Sequence, residues 1–535
     1  MYKKFISPQH SFILIVALFL IVTGNGAFFQ KLIATYPIGA GNVPFLLSIA
    51  GFFTLATALF LNLICYGRTT RWILTIIVLS ASLAAYFMDS YGVIIDTDML
   101  ENVMQTDARE ASELVNFSFI LRVLVFGILP AYLILKFCPQ SQGLKRELKS
   151  KLILSSVLIF LLILVVAPFT SQYASFIREH KTIRFFSNPT FFSYSVIRYL
   201  GNSFYQPPEN TTLIEVAKDT TDVDRNHKNE LLILVIGETA RSDRFSLNGY
   251  KRETNPELKK QKVVSFKNVS ACGTSTAISV PCMFSSLERS DFDIKKGLMQ
   301  ENVLDVLSRK GVDILWRDNN SDSKGVAKRM TYEDFKKAPK NPVCDEECRD
   351  IGMLNGLDQH INARKGKDIL IVLHQMGNHG PAYYKRYPKD FEKFTPVCKT
   401  NELSKCSKEE IGNAYDNAIL YTDYFLSEVI RFLQKYDHDH ETAMLYVSDH
   451  GESLGEYGVY LHGAPYAIAP KTQIHVPAIA WVGENFNYKF DQISPYANHS
   501  FGHDDLFCAM LTAFEMDTAS CSTWKSDLKQ NTDFK

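Results

Sequence analysis

The apolar positions of this chain follow two regimes, with the change near residue 170. Before it lie five long apolar runs, approximately 12–29, 43–65, 72–88, 117–137 and 152–169, each long enough as a helix to cross about 30 Å of hydrocarbon. Beyond it the pattern is that of a mixed globular chain. Short, mainly apolar runs at 231–238, 312–316, 368–373 and 443–447 read as central parallel strands buried on both faces. Helical periodicities at 303–309 and 413–435 separate them. The pattern predicts a five-helix transmembrane domain over 1–170 and an α/β domain with a mostly parallel sheet over 231–535. Between them, 171–230 reads as an arm and linker. Phe185, Phe186, Phe191, Phe192, Tyr194, Tyr199, Phe204 and Tyr205, mixed with Arg184 and Arg198, suit amphipathic segments in a membrane interface. A bridging arm packed on the soluble domain fits them equally well. Pro207, Pro208 and the polar run 218–230 suit the linker.

Charge gives the membrane part an orientation. Lys3 and Lys4 precede the first run, Arg68 and Arg71 lie between the second and third, and Lys136, Lys145, Arg146, Lys149 and Lys151 surround the turn before the fifth. The loop from Asp96 to Asn116 is acidic instead, with Asp96, Asp98, Glu101, Asp107, Glu110 and Glu113 against Arg109. The positive-inside rule then places the N-terminus in the cytoplasm and the soluble domain outside, in the periplasm of a bacterium. No small-residue cleavage site follows the first run, so it reads as a retained helix. Arg122, near one end of the fourth run, has a stem long enough to snorkel. The 57 basic and 57 acidic side chains balance, which gives no reason to expect a nucleic-acid partner.

The cysteines agree with export. Cys65 and Cys138 lie at membrane ends, while Cys272/Cys282, Cys344/Cys348, Cys398/Cys406 and Cys508/Cys521 fall in the exported part as close neighbours. Such pairs suit local disulfides in an oxidising compartment. A zinc ribbon fits less well, because no partner histidines stand in register.

In parallel sheets of this kind ligands bind beyond the carboxyl ends of the strands. The first run ends in Glu238. The second leads through Arg317, Asp318, Asn319 and Asn320 to Lys324, and the third into His374 and His379. The fourth leads into Asp449, His450 and Glu452, with His462 twelve residues past His450. Each alone is compatible with a structural role; together they suit metal-assisted phosphoryl transfer. Carboxylate and imidazole donors without thiolates favour zinc or a similar ion with an open position. Such an ion makes a nucleophile of a bound threonine hydroxyl at neutral pH. Lys324 and further histidines would neutralise charge on phosphate oxygens. A candidate hydroxyl lies in Ala271-Cys272-Gly273-Thr274-Ser275-Thr276-Ala277, where a helix should begin and its N–H groups favour an anion. Plain N-capping explains such residues as well, and the local sequence leaves both readings open.

Glu238, the Cys-Gly-Thr-Ser-Thr-Ala segment, Ser448-Asp449-His450-Gly451-Glu452-Ser453 and Tyr460-Leu461-His462-Gly463 together resemble the bacterial phosphoethanolamine transferases. These are membrane enzymes of the alkaline phosphatase and sulfatase superfamily, and the resemblance is to their lipid A branch, which includes the mobile colistin-resistance enzymes. It covers essentially the whole chain.

The resemblance implies that Thr276 is the nucleophile and joins Glu238, Asp449 and His450 around a catalytic zinc. Lys324, His379 and His462 would hold the phosphate or a second zinc, with His374 shaping the site. Asn102, Thr106 and Glu110 match substrate-binding positions; without the resemblance they read as part of a solvated acidic loop. Asp505 departs from the pattern, since relatives often carry Asn there. The implied enzyme is a monomer of the inner membrane. It moves phosphoethanolamine from phosphatidylethanolamine to a lipid A phosphate, and so gives polymyxin resistance. The same chemistry on a lipopolysaccharide core sugar, a periplasmic glucan or water is the alternative. A membrane-anchored binding protein with a dead site fits less well with Glu238, Thr276, Asp449 and His450 all intact.

Overall fold

The computed structural model describes residues 8–139, 143–203, 213–223 and 228–526. Lys3, Lys4, Phe204, Tyr205, Pro207, Pro208, the Lys145 side chain and part of the polar run 218–230 lie outside the described residues. The chain divides into two units, one of Met1–Leu100 with Val115–Tyr205 and one of Glu101–Leu114 with Gln206–Lys535. The central part of the acidic loop between the third and fourth apolar runs, Glu101–Leu114, therefore groups with the soluble part.

Among the described residues of the first unit, four helical runs are long and apolar enough to cross a membrane: Val43–Ile64, Gly67–Tyr91, Phe117–Phe137 and Arg146–Glu179. The first apolar run is not one straight helix. Pro8–Gly24 and Gly26–Thr35 meet at a bend of 64°, and they make a fifth span only if the bent pair is counted as one. The break falls at Asn25 between two glycines. Its side chain donates to the carbonyls of Leu20 at 3.1 Å and Asn188 at 2.6 Å, and accepts the Asn188 N–H at 2.9 Å. Breaking a helix in apolar surroundings frees backbone groups that must find partners. Here Asp89 accepts the Ala27 N–H at 2.6 Å, and Arg122 donates to the Thr23 carbonyl at 2.9 Å. The two side chains are also paired with each other at 2.7 Å. Arg122 thus ends on Asp89 and not in a free snorkel, because the break supplies both a charge partner and an orphan carbonyl.

This pair carries a stability prediction. Asp89→Ala leaves the Arg122 charge without its partner and is expected to cost about 3 kcal/mol. The Asp89→Ala/Arg122→Met double variant removes both charges and should lose less. Thermal unfolding of the three proteins in detergent checks the order, and a double variant weaker than the single contradicts it.

The arm continues the last long helix. Its elements are Thr170–Glu179, a short turn at Ile183–Phe186 and a helix at Thr190–Ser203. Phe176, Ile183 and Phe186 are buried, while Tyr194, Ile197 and Leu200 are exposed.

The second unit is built on an eight-stranded sheet. Its strands are β1 Glu230–Gly237, β2 Val264–Ser270, β3 Asp313–Asp318, β4 Thr331–Asp334, β5 Ile369–His374, β6 Glu441–Ser448, β7 His475–Val482 and β8 Ser500–Gly502. Their order across the sheet is β8-β2-β7-β6-β1-β5-β3-β4. Only β7 pairs antiparallel, with β2 and β6. The other pairings are parallel.

β1 shows why the central runs are apolar throughout. Leu231, Ile233 and Val235 join one buried cluster, and Leu232, Leu234 and Ile236 join the other. Alternate side chains leave a strand on opposite faces, so a sheet covered on both sides needs both sets apolar. The Lys408–Gln434 helix covers the first face, and the Val303–Arg309 and Leu506–Ala513 helices the second. Disulfides join Cys272 to Cys282, Cys344 to Cys348, Cys398 to Cys406 and Cys508 to Cys521. Cys65 and Cys138 are free.

Candidate active site

Strand pairing brings the first three candidate side chains together. β1 and β6 are neighbours, with Gly237 opposite Ser448. Glu238 follows one strand end, and Asp449 and His450 follow the other. All three are fully buried. Gly377 lies against this turn in the left-handed backbone region, where a Cβ would come within 2.9 Å of the Glu238 carbonyl oxygen.

Thr276 reaches the same point from the helix Thr276–Met283. Ser275 is its N-cap and makes no side-chain cap bond. Thr276 is the first helical residue. Its hydroxyl donates to Glu238 Oε2 at 3.0 Å and lies 3.3 Å from His450 Nε2. Capping therefore does not account for the Thr276 hydroxyl. The Cys272–Cys282 disulfide ties the turn before the helix to its last turn.

The charges around that hydroxyl are unbalanced. Glu238, Asp449 and His450 each offer a ligand atom, all within 4.8 Å of one another. Asp449 Oδ2 is buried and accepts no hydrogen bond from the described residues, with His450 Nε2 3.4 Å away. Burial, and then the Glu238 charge, push the Asp449 carboxyl up to about 7. At Glu238 burial also works to raise the carboxyl. The histidines, His450 foremost, outweigh it and hold the group below the usual carboxylate range. Burial disfavours the charged His450, and Asp449 and Glu238 more than reverse this, so its pKa is raised. Two buried carboxylates around one imidazole, one with an orphaned oxygen, form a donor set that a divalent cation satisfies. His450 Nδ1 bonds the Gly451 carbonyl at 2.9 Å, which leaves Nε2 as the ligand atom.

A second group, His450, Glu452 and His462, adjoins the first. The His462 ring centroid is 4.3 Å from that of His450 and 5.7 Å from that of His379. Glu452 orients His462 through Nδ1 at 2.9 Å and accepts the Tyr383 hydroxyl at 2.6 Å. His379 Nε2 stands 3.9 Å from Glu110 Oε1. Thr106 bonds the Asn102 carbonyl at 2.7 Å, one helical turn back. Lys324 has a left-handed backbone, and its ammonium donates to the carbonyls of Ser321 at 2.9 Å and Gln105 at 3.1 Å. His374 is paired through Nδ1 with Asp318 at 2.9 Å, on the next strand. A third cluster, Cys272, Cys282 and Asp504, has its thiols joined in a disulfide and is no metal site.

Residues 230–516 fit the sulfatase family model, and residues 53–204 fit the model described as phosphoethanolamine transferase EptA/EptB. Phosphatidylethanolamine transferase Mcr-2 of Escherichia coli is 44% identical over 513 residues, 94% of each chain. Mcr-1 of the same species is 44% identical over 533 residues, 96% of each. The chain belongs to the phosphoethanolamine transferase family.

The solved structure of the lipooligosaccharide phosphoethanolamine transferase A (EptA) from Neisseria meningitidis superposes on this transferase with a TM-score of 0.90. The identity is 32%, over 95% of this chain and 96% of that one. EptA of Salmonella typhimurium is 37% identical over 530 residues, 95% of this chain and 94% of that one.

Some residues that build the candidate site show no particular role in the sequence, even where, like Asn320 and Asp505, they stand at a strand end or in a motif. Asn320 donates to Glu238 Oε2 at 2.8 Å, and the Thr239 hydroxyl donates to Glu238 Oε1 at 3.0 Å. Thr239 is itself in the left-handed region, with its carbonyl held by the Tyr415 hydroxyl at 2.6 Å. His503 accepts the Cys272 N–H at Nδ1, 3.0 Å, and contacts the Ser448 carbonyl through Nε2 at the same distance. Accepting a backbone N–H fixes its proton on Nε2. One neutral ring, its pKa lowered to about 4 by burial, thus joins the Thr276 turn to the strand end that carries Asp449. Asp505 sets this corner by accepting the Gly502 N–H at 2.7 Å. His503→Ala is expected to lower kcat by about 10- to 100-fold with KM little changed. Steady-state kinetics on the purified variant decide, and an unchanged kcat refutes that role.

Proposed function

We propose that the protein transfers phosphoethanolamine from phosphatidylethanolamine to a phosphate of lipid A through a phosphothreonine at Thr276. The observation that carries this reading is one hydroxyl at a helix start, held by a buried ionised carboxylate and an imidazole. In the first half-reaction the Thr276 oxygen bonds to phosphorus, the bond to the glycerol oxygen breaks, and diacylglycerol leaves with a proton. In the second, a lipid A phosphate oxygen bonds to the same phosphorus, the bond from phosphorus to the Thr276 oxygen breaks, and Thr276 regains its proton.

Glu238, Asp449, His450 and Thr276 would hold a zinc ion. When bound, the ion supplies Lewis-acid chemistry that lowers the pKa of the threonine hydroxyl and offsets charge on phosphate. Glu238 orients the hydroxyl and accepts its hydrogen bond. His379 and His462 offer imidazole donors to phosphate oxygens, with Lys324 as a further cation or as part of a second metal position. Asn102, Thr106 and Glu110 contact the substrate head group.

The membrane part is read as five spans in the inner membrane, the bent pair counting as one. The N-terminus is cytoplasmic, the catalytic domain periplasmic and the protein a monomer. Both substrates are lipids, which suits a membrane-anchored catalyst. The product gains a cationic amine, the surface becomes less negative, and cationic polymyxins are attracted less. Mass spectrometry of lipids from cells expressing the chain tests this. The expected result is lipid A carrying phosphoethanolamine. Unmodified lipid A, with the group on a core sugar or a glucan, would move the assignment to that acceptor.

A further inference from the structure

The acidic segment Glu101–Leu114 belongs to the catalytic unit, and a buried ion cluster holds it there. Arg386 is the centre of that cluster. Its side chain is 1% exposed, and those of Glu113 and Glu347 are 6% each. One guanidinium amine binds Glu113, the other binds Glu347, and Nε donates to the His379 carbonyl at 2.6 Å. Glu347 is presented by the short loop that the Cys344–Cys348 disulfide closes. Further contacts serve the same segment: Asn401 binds the Glu113 carbonyl, Lys385 stands 3.6 Å from Glu113, and Arg109 donates to the Asn319 carbonyl at 3.1 Å.

The consequence lies one helical turn away. Glu110 and Glu113 are three apart on the helix Ala108–Leu114, so they share a face. Fixing Glu113 to Arg386 sets Glu110 beside the His379 ring, while the same guanidinium fixes the His379 backbone. One side chain thus controls both partners of the 3.9 Å Glu110–His379 contact.

We propose that Arg386, with Glu113 and Glu347, is a positioning device that holds Glu110 against His379 as a binding site for the substrate head group. The carboxylate suits an ammonium and the imidazole a phosphate, so the pair presents both charges a zwitterionic phosphoethanolamine needs. The idea rests on the reading that Glu110 and His379 contact substrate.

The test measures kcat and KM for phosphatidylethanolamine on the purified full-length protein. The variants are Glu110→Gln, Glu113→Gln, their double, and Arg386→Lys. Misplacing a binding group should raise KM by about 10- to 100-fold with a smaller fall in kcat. The double variant should lose no more than the worse single, because both act on one contact. Arg386→Lys keeps the charge but loses the fork, and should fall between parent and Glu113→Gln. Zinc content should match the parent throughout. Full activity in Glu110→Gln would contradict the substrate reading beneath the idea. Loss in Glu110→Gln with full activity in Glu113→Gln and Arg386→Lys would sink the positioning device alone. Multiplying losses, or a fall in zinc content, would show a merely structural cluster and overturn it.

Discussion

Thr276→Ala is expected to reduce transfer to background, about 1,000-fold or more below the parent. The reason is geometric. Among the described residues, the Thr276 hydroxyl is the one that meets both Glu238 and His450 at a helix start. Thr276→Ser keeps a hydroxyl on the same turn and should retain measurable transfer. Thr239 supplies the internal control, since its hydroxyl also donates to Glu238 but lies off that helix. Thr239→Ala should cost only about 10- to 100-fold, as loss of a supporting contact does. Quantifying phosphoethanolamine-modified lipid A for the three variants checks the ranking. Equal losses at Thr239 and Thr276 would contradict it.

The second large effect is that of the metal. Stripping zinc with a chelator should abolish transfer, and adding zinc back should restore it. Binding at a concentration 1,000 times the Kd also stabilises the fold by about 4 kcal/mol, so the melting temperature should fall and recover with activity. Asp449→Asn separates the two roles of that carboxylate. It removes a ligand, so zinc content and activity should fall to background. It also relieves the crowding of Asp449 against Glu238, which are both buried at one imidazole. The metal-free variant should therefore be at least as stable as the metal-free parent. Calorimetry of both proteins with and without zinc decides, and a less stable metal-free variant would refute the electrostatic account.

Much of this was readable from the chain because local pattern and local function coincide. The four central strands are mainly apolar runs, and the proposed metal ligands follow two of them immediately, at Glu238 and at Asp449-His450. β7 escaped because it contains Pro477, which cannot donate to a ladder. Its register with β2 shifts at that residue, between Val476 and Ala478. β2 and β8 are short or mixed in pattern and carry no strand signal of their own. The broken first span escaped because the break is stabilised by Asp89 and Arg122, remote in sequence. Asn25 between two glycines was the only local sign. The segment around Glu110 and Glu113 reads as solvated when taken alone. What buries it is Arg386, 273 positions from Glu113, and no window of sequence contains both. His503 likewise acts through contacts to residues more than 50 positions away. Contacts of that range are set by the fold and leave no periodic trace.

In the proposed reaction the phosphoethanolamine group passes through Thr276. The most direct measurement is peptide mass spectrometry of the purified protein after brief exposure to phosphatidylethanolamine without lipid A. One phosphoethanolamine group is expected on the peptide containing Thr276, cleared when lipid A is added and absent from Thr276→Ala. Full transfer with no modified peptide, or with the group on another residue, would contradict it.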